Sequence, residues 1–171
     1  MKRDQDKNYC DEKKFSEFFL SHSKNLNNYI YYKCGNLDLA KDIVQDAFLK
    51  FWNNCEKVIP GKAKSYLYTI ATNLFLNEFA KSTVVLNFKT HKKPDITNQT
   101  PEYLMEEKQF GEKLQTAISN LTEAQRTAFL MNRIDGKKYT EIAQTLNISV
   151  KAVEKRIHGA LVNLRKNIEN I

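Results

Sequence analysis

In VKAVEKRIHGALVNLRK (150–166), Lys151, Glu154, Lys155 and His158 recur at steps of three and four, with Arg156 beside them. On a helix such steps put side chains on one face, and this face carries groups suited to reading a DNA duplex. A lysine donates to guanine or to a phosphate, a glutamate accepts from the amino group of cytosine, and an imidazole stacks or donates. The bland alternative is the solvated basic face of any small helical domain.

A second set of polar groups lies in AKSYLYTIATNLFLNEFAK (63–81). Tyr66, Tyr68, Thr69, Thr72, Asn73 and Asn77 offer aromatic planes, hydroxyls and amides, with no acid–base pair among them. That chemistry suits an unstacked base, which can lie on an aromatic ring and be read along its hydrogen-bonding edge. Lys57, Lys62 and Lys64, on the approach to this stretch, would meet phosphates. For either tyrosine, completing a core is an equally good account.

The third set is acidic. Asp42, Gln45, Asp46 and Leu49 emerge together on one side of LAKDIVQDAFLKFWNN (39–54), an acid–amide–acid patch around one leucine. It would fit a polar partner groove with a small apolar anchor. On the residues alone, an ordinary solvated face is the simpler reading.

Other chemistries find little support. Cys10, Cys34 and Cys55 form no C-x-x-C pattern and are odd in number, so neither a disulfide framework nor a zinc site is expected, only buried or incidental thiols. His22, His91 and His158 lie far apart, and no clustered carboxylates suggest a nuclease. No metal and no cofactor is expected. A net charge of +7 favours a polyanionic partner. Residues 1–80 carry 12 basic and 10 acidic side chains and residues 112–171 carry 10 and 6, so the excess leans toward the C-terminal part.

These groups need helices to position them. With five Gly, three Pro and apolar positions at helical spacing almost everywhere, the chain reads as all-α. Helices are expected over 13–34, with Phe15, Phe18, Phe19, Leu26, Tyr29 and Ile30 inward; over 39–54, with Ile43, Val44, Ala47, Phe48 and Phe51 inward; and over 63–81, with Leu67, Ile70, Ala71 and Leu74 inward. GNLD (35–38) breaks the first from the second. Periodicity fails in STVVLNFKTHKKPDITNQTPEY (82–103), where VVLNF could dock as a short strand. Two small helical domains, 1–81 and 112–171, joined by a linker over 82–111, follow from this.

In the second domain a helix is expected from Phe110 to Leu121, then one capped by Thr122 with Gln125 as a capping box and stopped by Gly136. YTEIAQTL (139–146) and the basic helix follow, with Asn147 closing the former and Ser149 capping the latter. Val150, Val153, Ile157, Leu161 and Leu164 form the inward stripe of the last helix. At about 16 residues and 1.5 Å each it would be roughly 24 Å long, and its diameter fits a major groove. The short connection and small Ala143 favour a helix-turn-helix.

AISNLTEAQRTAFLMNRIDGKKYTEIAQTLNISVKAVEKRIHGALVNLRK resembles region four of bacterial sigma factors of the extracytoplasmic-function (ECF) type. LDLAKDIVQDAFLKFWNN and KSYLYTIATNLFLNEFAK resemble region two of the same family. The runner-up is a stand-alone or LuxR-type helix-turn-helix regulator, which shares the EIA-to-IS core but not the N-terminal half. The resemblance implies a transcription initiation factor rather than an enzyme. Asp42, Gln45, Asp46 and Leu49 would bind core RNA polymerase. Lys62, Lys64, Tyr66, Tyr68, Thr69, Thr72, Asn73 and Asn77 would take the minus-ten element, with Asn73 at a flipped-base pocket. Lys151, Glu154, Lys155, Arg156 and His158 would take the minus-thirty-five element. Promoter DNA and an anti-sigma factor are the further partners implied, with no small-molecule substrate. Many members carry Arg near Thr69 or Thr72 and a basic pair at the end of this helix, where this chain has FAK, which implies fewer phosphate contacts. With no apolar run near membrane length and a charged start, a soluble cytoplasmic location is expected.

Overall fold

The computed structural model describes residues 9–59, 61–81 and 101–168. The chain divides into two compact units at residues 85 and 86. The first holds α1 (Glu12–Cys34), α2 (Leu37–Asn53), a 3-10 turn (Cys55–Lys57) and α3 (Ala63–Lys81). The second holds α4 (Pro101–Ser119), α5 (Glu123–Arg133), α6 (Tyr139–Leu146) and α7 (Val150–Asn167). Among the described residues the regular structure is entirely helical, as the composition suggests. VVLNF lies outside them.

Helix α1 starts where Asp11 accepts from the Lys14 amide at 3.0 Å. It stops at Gly35, whose φ of 67° is open to glycine at little cost and lets its amide reach the Tyr31 carbonyl. Asn36 then caps α2, its side chain accepting from the amides of Asp38 and Leu39 at 3.0 and 3.1 Å. The break is therefore two residues, not four, because the asparagine side chain recruits Leu37 and Asp38 into the helix.

The first core is aromatic. Phe18 of α1 stacks on Phe51 of α2 with centroids 4.9 Å apart and planes at 18°, an offset arrangement that adds about 0.5–1.5 kcal/mol to area burial. Leu26, Tyr29 and Ile30 join them from α1, as do Ile43, Val44, Ala47 and Phe48 from α2 and Leu67, Tyr68, Ala71 and Phe75 from α3. The expected inward faces hold with small shifts. Phe15 is half-buried against Trp52 at 4.8 Å, and Phe19 is exposed. On α3, Ile70 and Leu74 are half-buried, while Tyr68 and Phe75 take the centre.

The cysteines depart from expectation. Cys10 and Cys55 are joined by a disulfide across 45 residues, their Cα atoms 5.2 Å apart, and only Cys34 is a buried thiol. The pairing was not legible because it depends on Tyr9 and Cys10, just before α1, lying over the end of α2. Tyr9 takes part in that return, with its ring edge-on to Phe18 at 5.1 Å and Phe51 at 5.7 Å.

In the second unit, α4 begins nine residues before Phe110, at Pro101 and within the stretch read as linker. Proline breaks a helix interior but suits its first position, where no amide partner is needed and φ is preset. Ala117, Leu121, Ala160, Leu164 and Ile168 form a core cluster, with Leu114, Ile118 and Phe129 packed on it. Arg126 is fully buried and donates through Nη1 to the carbonyls of Leu121 and Ser119 at 3.0 and 3.3 Å, holding the end of α4 to α5. Sequence reasoning missed it, since a lone arginine on a helix is usually a surface group.

Candidate nucleic-acid and polymerase interface

The turn between α6 and α7 is three residues long. Asn147 adopts a left-handed conformation (φ 53°, ψ 48°), which asparagine tolerates better than most side chains. That conformation lets the Ile148 amide reach back to the Ala143 carbonyl at 3.0 Å. Ser149 then accepts from the Ala152 amide at 3.1 Å and starts α7. Both caps lie where the sequence puts them. Ile142 and Ala143 of α6 are buried, as are Val153, Ile157, Ala160 and Leu164 of α7. Val150 departs from the expected stripe. It is the first residue of α7, beyond the reach of the packed helices, and is 38% exposed, while Ala160 lies within the stripe and Leu161 is half-buried.

The outward face of α7 carries Lys151, Glu154, Lys155 and His158, all exposed, with Arg156 half-buried on the flank. This is the face read from the sequence. Two further groups fix the helices around it. Gln125, the capping-box partner of Thr122, also accepts from Asn163 Nδ2 of α7 at 3.2 Å. Between α5 and α6, Gly136 (φ 65°) turns the chain, Asn132 donates to the Lys137 carbonyl at 2.9 Å, and Lys137 pairs with Asp135 at 3.3 Å. This pair is largely withdrawn from solvent, with side chains 14% and 4% exposed, and was not anticipated.

In the first unit the structure divides the eight polar candidates around α3. Lys62, Tyr66, Thr69, Asn73 and Asn77 follow one another at steps of three and four and share a face. Lys62, Thr69, Asn73 and Asn77 are exposed, and Tyr66 is half-buried with its ring 6.0 Å from that of Phe51. The Thr69 hydroxyl donates to the Ser65 carbonyl at 2.9 Å and keeps acceptor capacity. Gly61, at φ 83°, makes the turn that delivers Lys62 to the start of this face.

Tyr68 and Thr72 lie on the other side. Tyr68 is 3% exposed with its ring 5.1 Å from Tyr29. Thr72 donates to the Tyr68 carbonyl at 2.8 Å and shares a hydrogen bond with the Tyr29 hydroxyl at 3.0 Å. Tyr68 completes the core and Thr72 is half-buried beside it, so neither shares the face of Tyr66. Lys64 is exposed but sits over the Tyr68 ring at 5.9 Å, away from Tyr66. His22, packed edge-on against Phe18 at 4.4 Å, is held below its ordinary pKa by burial and, less, by the charge of Lys64.

On α2, Asp42, Gln45, Asp46 and Leu49 are all exposed in one stripe, and Leu49 is 60% accessible. The other side of the helix is buried throughout. Among the described residues no group of three His, Cys, Asp or Glu is placed to hold a metal ion, and no helix is long and apolar enough to cross a membrane.

The family described as "Sigma-70 region 2" matches residues 18–84, and "Sigma-70, region 4" matches residues 111–164. The chain is 26% identical to the ECF RNA polymerase sigma factor SigE of Mycolicibacterium smegmatis, over 88% of its own length and 60% of that protein's. It is 27% identical to the ECF RNA polymerase sigma factor SigW of Bacillus subtilis, over 94% of this chain and 92% of that one. Its fold is shared with the sigma factor RpoE crystallised with the anti-sigma factor NepR from Bartonella quintana, at a TM-score of 0.64 and 20% identity over 92% and 98% of the two chains. The chain belongs to the sigma-70 factors of the extracytoplasmic-function type. Its role is accordingly that of a transcription initiation factor directing RNA polymerase.

Proposed function

We propose that the first unit binds core RNA polymerase through Asp42, Gln45, Asp46 and Leu49 and captures an unstacked minus-ten base on the Lys62–Tyr66–Thr69–Asn73–Asn77 face. The second unit lays α7 in the major groove of the minus-thirty-five element. The observation that carries this reading is the division of α3, which leaves one tyrosine half-buried beside exposed amides and a hydroxyl and buries the other. A flipped base needs a ring to lie on and polar edges beside it. Unstacking costs a few kcal/mol per step, offset by those contacts and by the binding of the polymerase.

Lys57, Lys62 and Lys64 neutralise phosphates near the melted strand, Lys64 from its own side of α3. On α7, Glu154 accepts from cytosine and Lys155 donates to guanine, while Lys151 and Arg156 hold the backbone and His158 donates or stacks. The factor works in the bacterial cytoplasm with the polymerase, forms no covalent bond itself, and is held in reserve by an anti-sigma factor, the kind of partner seen with the RpoE relative.

Mixing the purified protein with bacterial core RNA polymerase tests the polymerase surface. Wild-type protein is expected to co-elute with core on gel filtration, and Asp46→Arg to elute alone with an unchanged circular dichroism spectrum. Survival of the Asp46→Arg complex would remove α2 from the interface.

A further inference from the structure

Cys10 and Cys55 are joined, half-buried rather than enclosed, and placed at the connection that leads into the α3 surface just assigned to DNA. Cys55 opens the 3-10 turn that leads into α3, and three hydrogen bonds shape that connection: Lys57 amide to Asn54 carbonyl at 3.0 Å, Val58 to Cys55 at 3.2 Å, and Lys62 to Ile59 at 3.0 Å. Cys10 ends the segment whose Tyr9 ring lies against Phe51, and Phe51 also contacts Tyr66. The Phe51 ring thus bears Tyr9, just before α1, and Tyr66 of the α3 face.

We infer that Cys10–Cys55 is a thiol–disulfide exchange site for dithiol reductants, and that its oxidised form fixes the 55–62 connection and the Tyr66 surface. A dithiol thiolate attacks one of the two sulfurs and releases the other as a thiolate. The second thiol of the reductant then displaces the mixed disulfide. Two electrons and two protons pass to Cys10 and Cys55, and the reductant leaves as its disulfide. A small disulfide drives the reverse step. In a cytoplasm that keeps thiols reduced, a disulfide with access to solvent is a state to be switched rather than a permanent brace. Once it is reduced, the ring contacts of Tyr9 no longer have the bond beside them, and residues 9 and 10 and the connection before α3 open independently. The link to DNA rests on the function proposed above, whereas the link to the 55–62 connection does not.

Hydrogen exchange on the full chain, as isolated and after dithiothreitol, reads the second link directly. The amides of residues 55–59, 61 and 62 are expected to exchange about tenfold faster after reduction, the order expected when a local restraint on opening is lost, with amides of α7 unchanged. Cys10→Ser should exchange like the reduced protein in both buffers. Equal exchange in the two states, or wild-type behaviour of Cys10→Ser in the oxidised buffer, would overturn the switch, as would failure of dithiothreitol to yield two additional alkylatable thiols. Permanganate footprinting of the holoenzyme on a promoter reads the first link, with reduction expected to weaken the melted-strand signal several-fold in wild type and not in Cys10→Ser. An equal footprint in both states of wild type would overturn control of DNA capture by the bond. No footprint in either state would instead count against the promoter-opening reading, and the exchange result would still decide the switch.

Discussion

Gly159 of α7 leaves the space that Gln125 of α5 occupies: a Cβ at position 159 would lie 2.7 Å from Gln125 Nε2. Gln125 caps its own helix and accepts from Asn163 across the interface. The glycine is thus tied to a side chain rather than to a backbone conformation. An alanine there gains helix propensity of about 1 kcal/mol but displaces Gln125 from bonds worth about 1 kcal/mol each. In thermal melts, Gly159→Ala is expected to destabilise by about 1 kcal/mol in the wild-type background and to stabilise by about 1 kcal/mol in Gln125→Ala. Additive effects would show that the two residues are independent.

Tyr66 and Tyr68, two residues apart, should separate function from stability. Tyr68→Ala removes a buried ring and is expected to cost about 3–5 kcal/mol in urea unfolding. Tyr66→Ala should cost much less, leave binding to core polymerase unchanged and weaken permanganate-detected promoter opening. Normal opening by Tyr66→Ala would withdraw the base-capture role from that ring.

On α7, Lys155→Ala should change the base preference of the holoenzyme at one position of the upstream element, relaxing discrimination by about 1–3 kcal/mol. Lys151→Ala should weaken binding to all sequences alike and flatten its salt dependence. Selection from a randomised upstream element gives both results, and an unaltered profile for Lys155→Ala would limit that lysine to phosphate contact.

His22 gives the first unit a pH dependence of definite sign. Its folded pKa lies below the ordinary 6.5, because burial disfavours the charged ring. The unfolded chain therefore binds the proton more readily, so this contribution is present above pH 6.5 and is lost as the pH falls through the folded value. Urea midpoints are expected to drop between pH 7.5 and 5.5 in wild type and to drop less in His22→Gln. Parallel slopes would assign the acid sensitivity elsewhere.

How far the sequence could be read differs from place to place for physical reasons. Helix α3 and both caps of the α6–α7 turn were legible, because periodicity and short-range hydrogen bonds are local properties. Tyr66 and Tyr68 could not be told apart in advance, since tyrosine serves a core or a wet surface equally well and only packing against Tyr29 decides. Val150 obeys the spacing of a buried stripe yet lies at a helix end, where no neighbour covers it. Arg126, the Lys137–Asp135 pair and the Cys10–Cys55 bond depend on where the chain returns to itself, which apolar spacing does not encode.

The turn at Asn147–Ser149 has a consequence for how such a chain changes over generations. Its closure uses the Ile148 amide, the Ala143 carbonyl and the Ser149 hydroxyl, none of which belongs to the outward residues of α7. Positions 151, 154, 155 and 158 can therefore be rewritten like letters on a fixed type-block, which under the proposed function gives a lineage a new DNA address while turn and core are inherited intact.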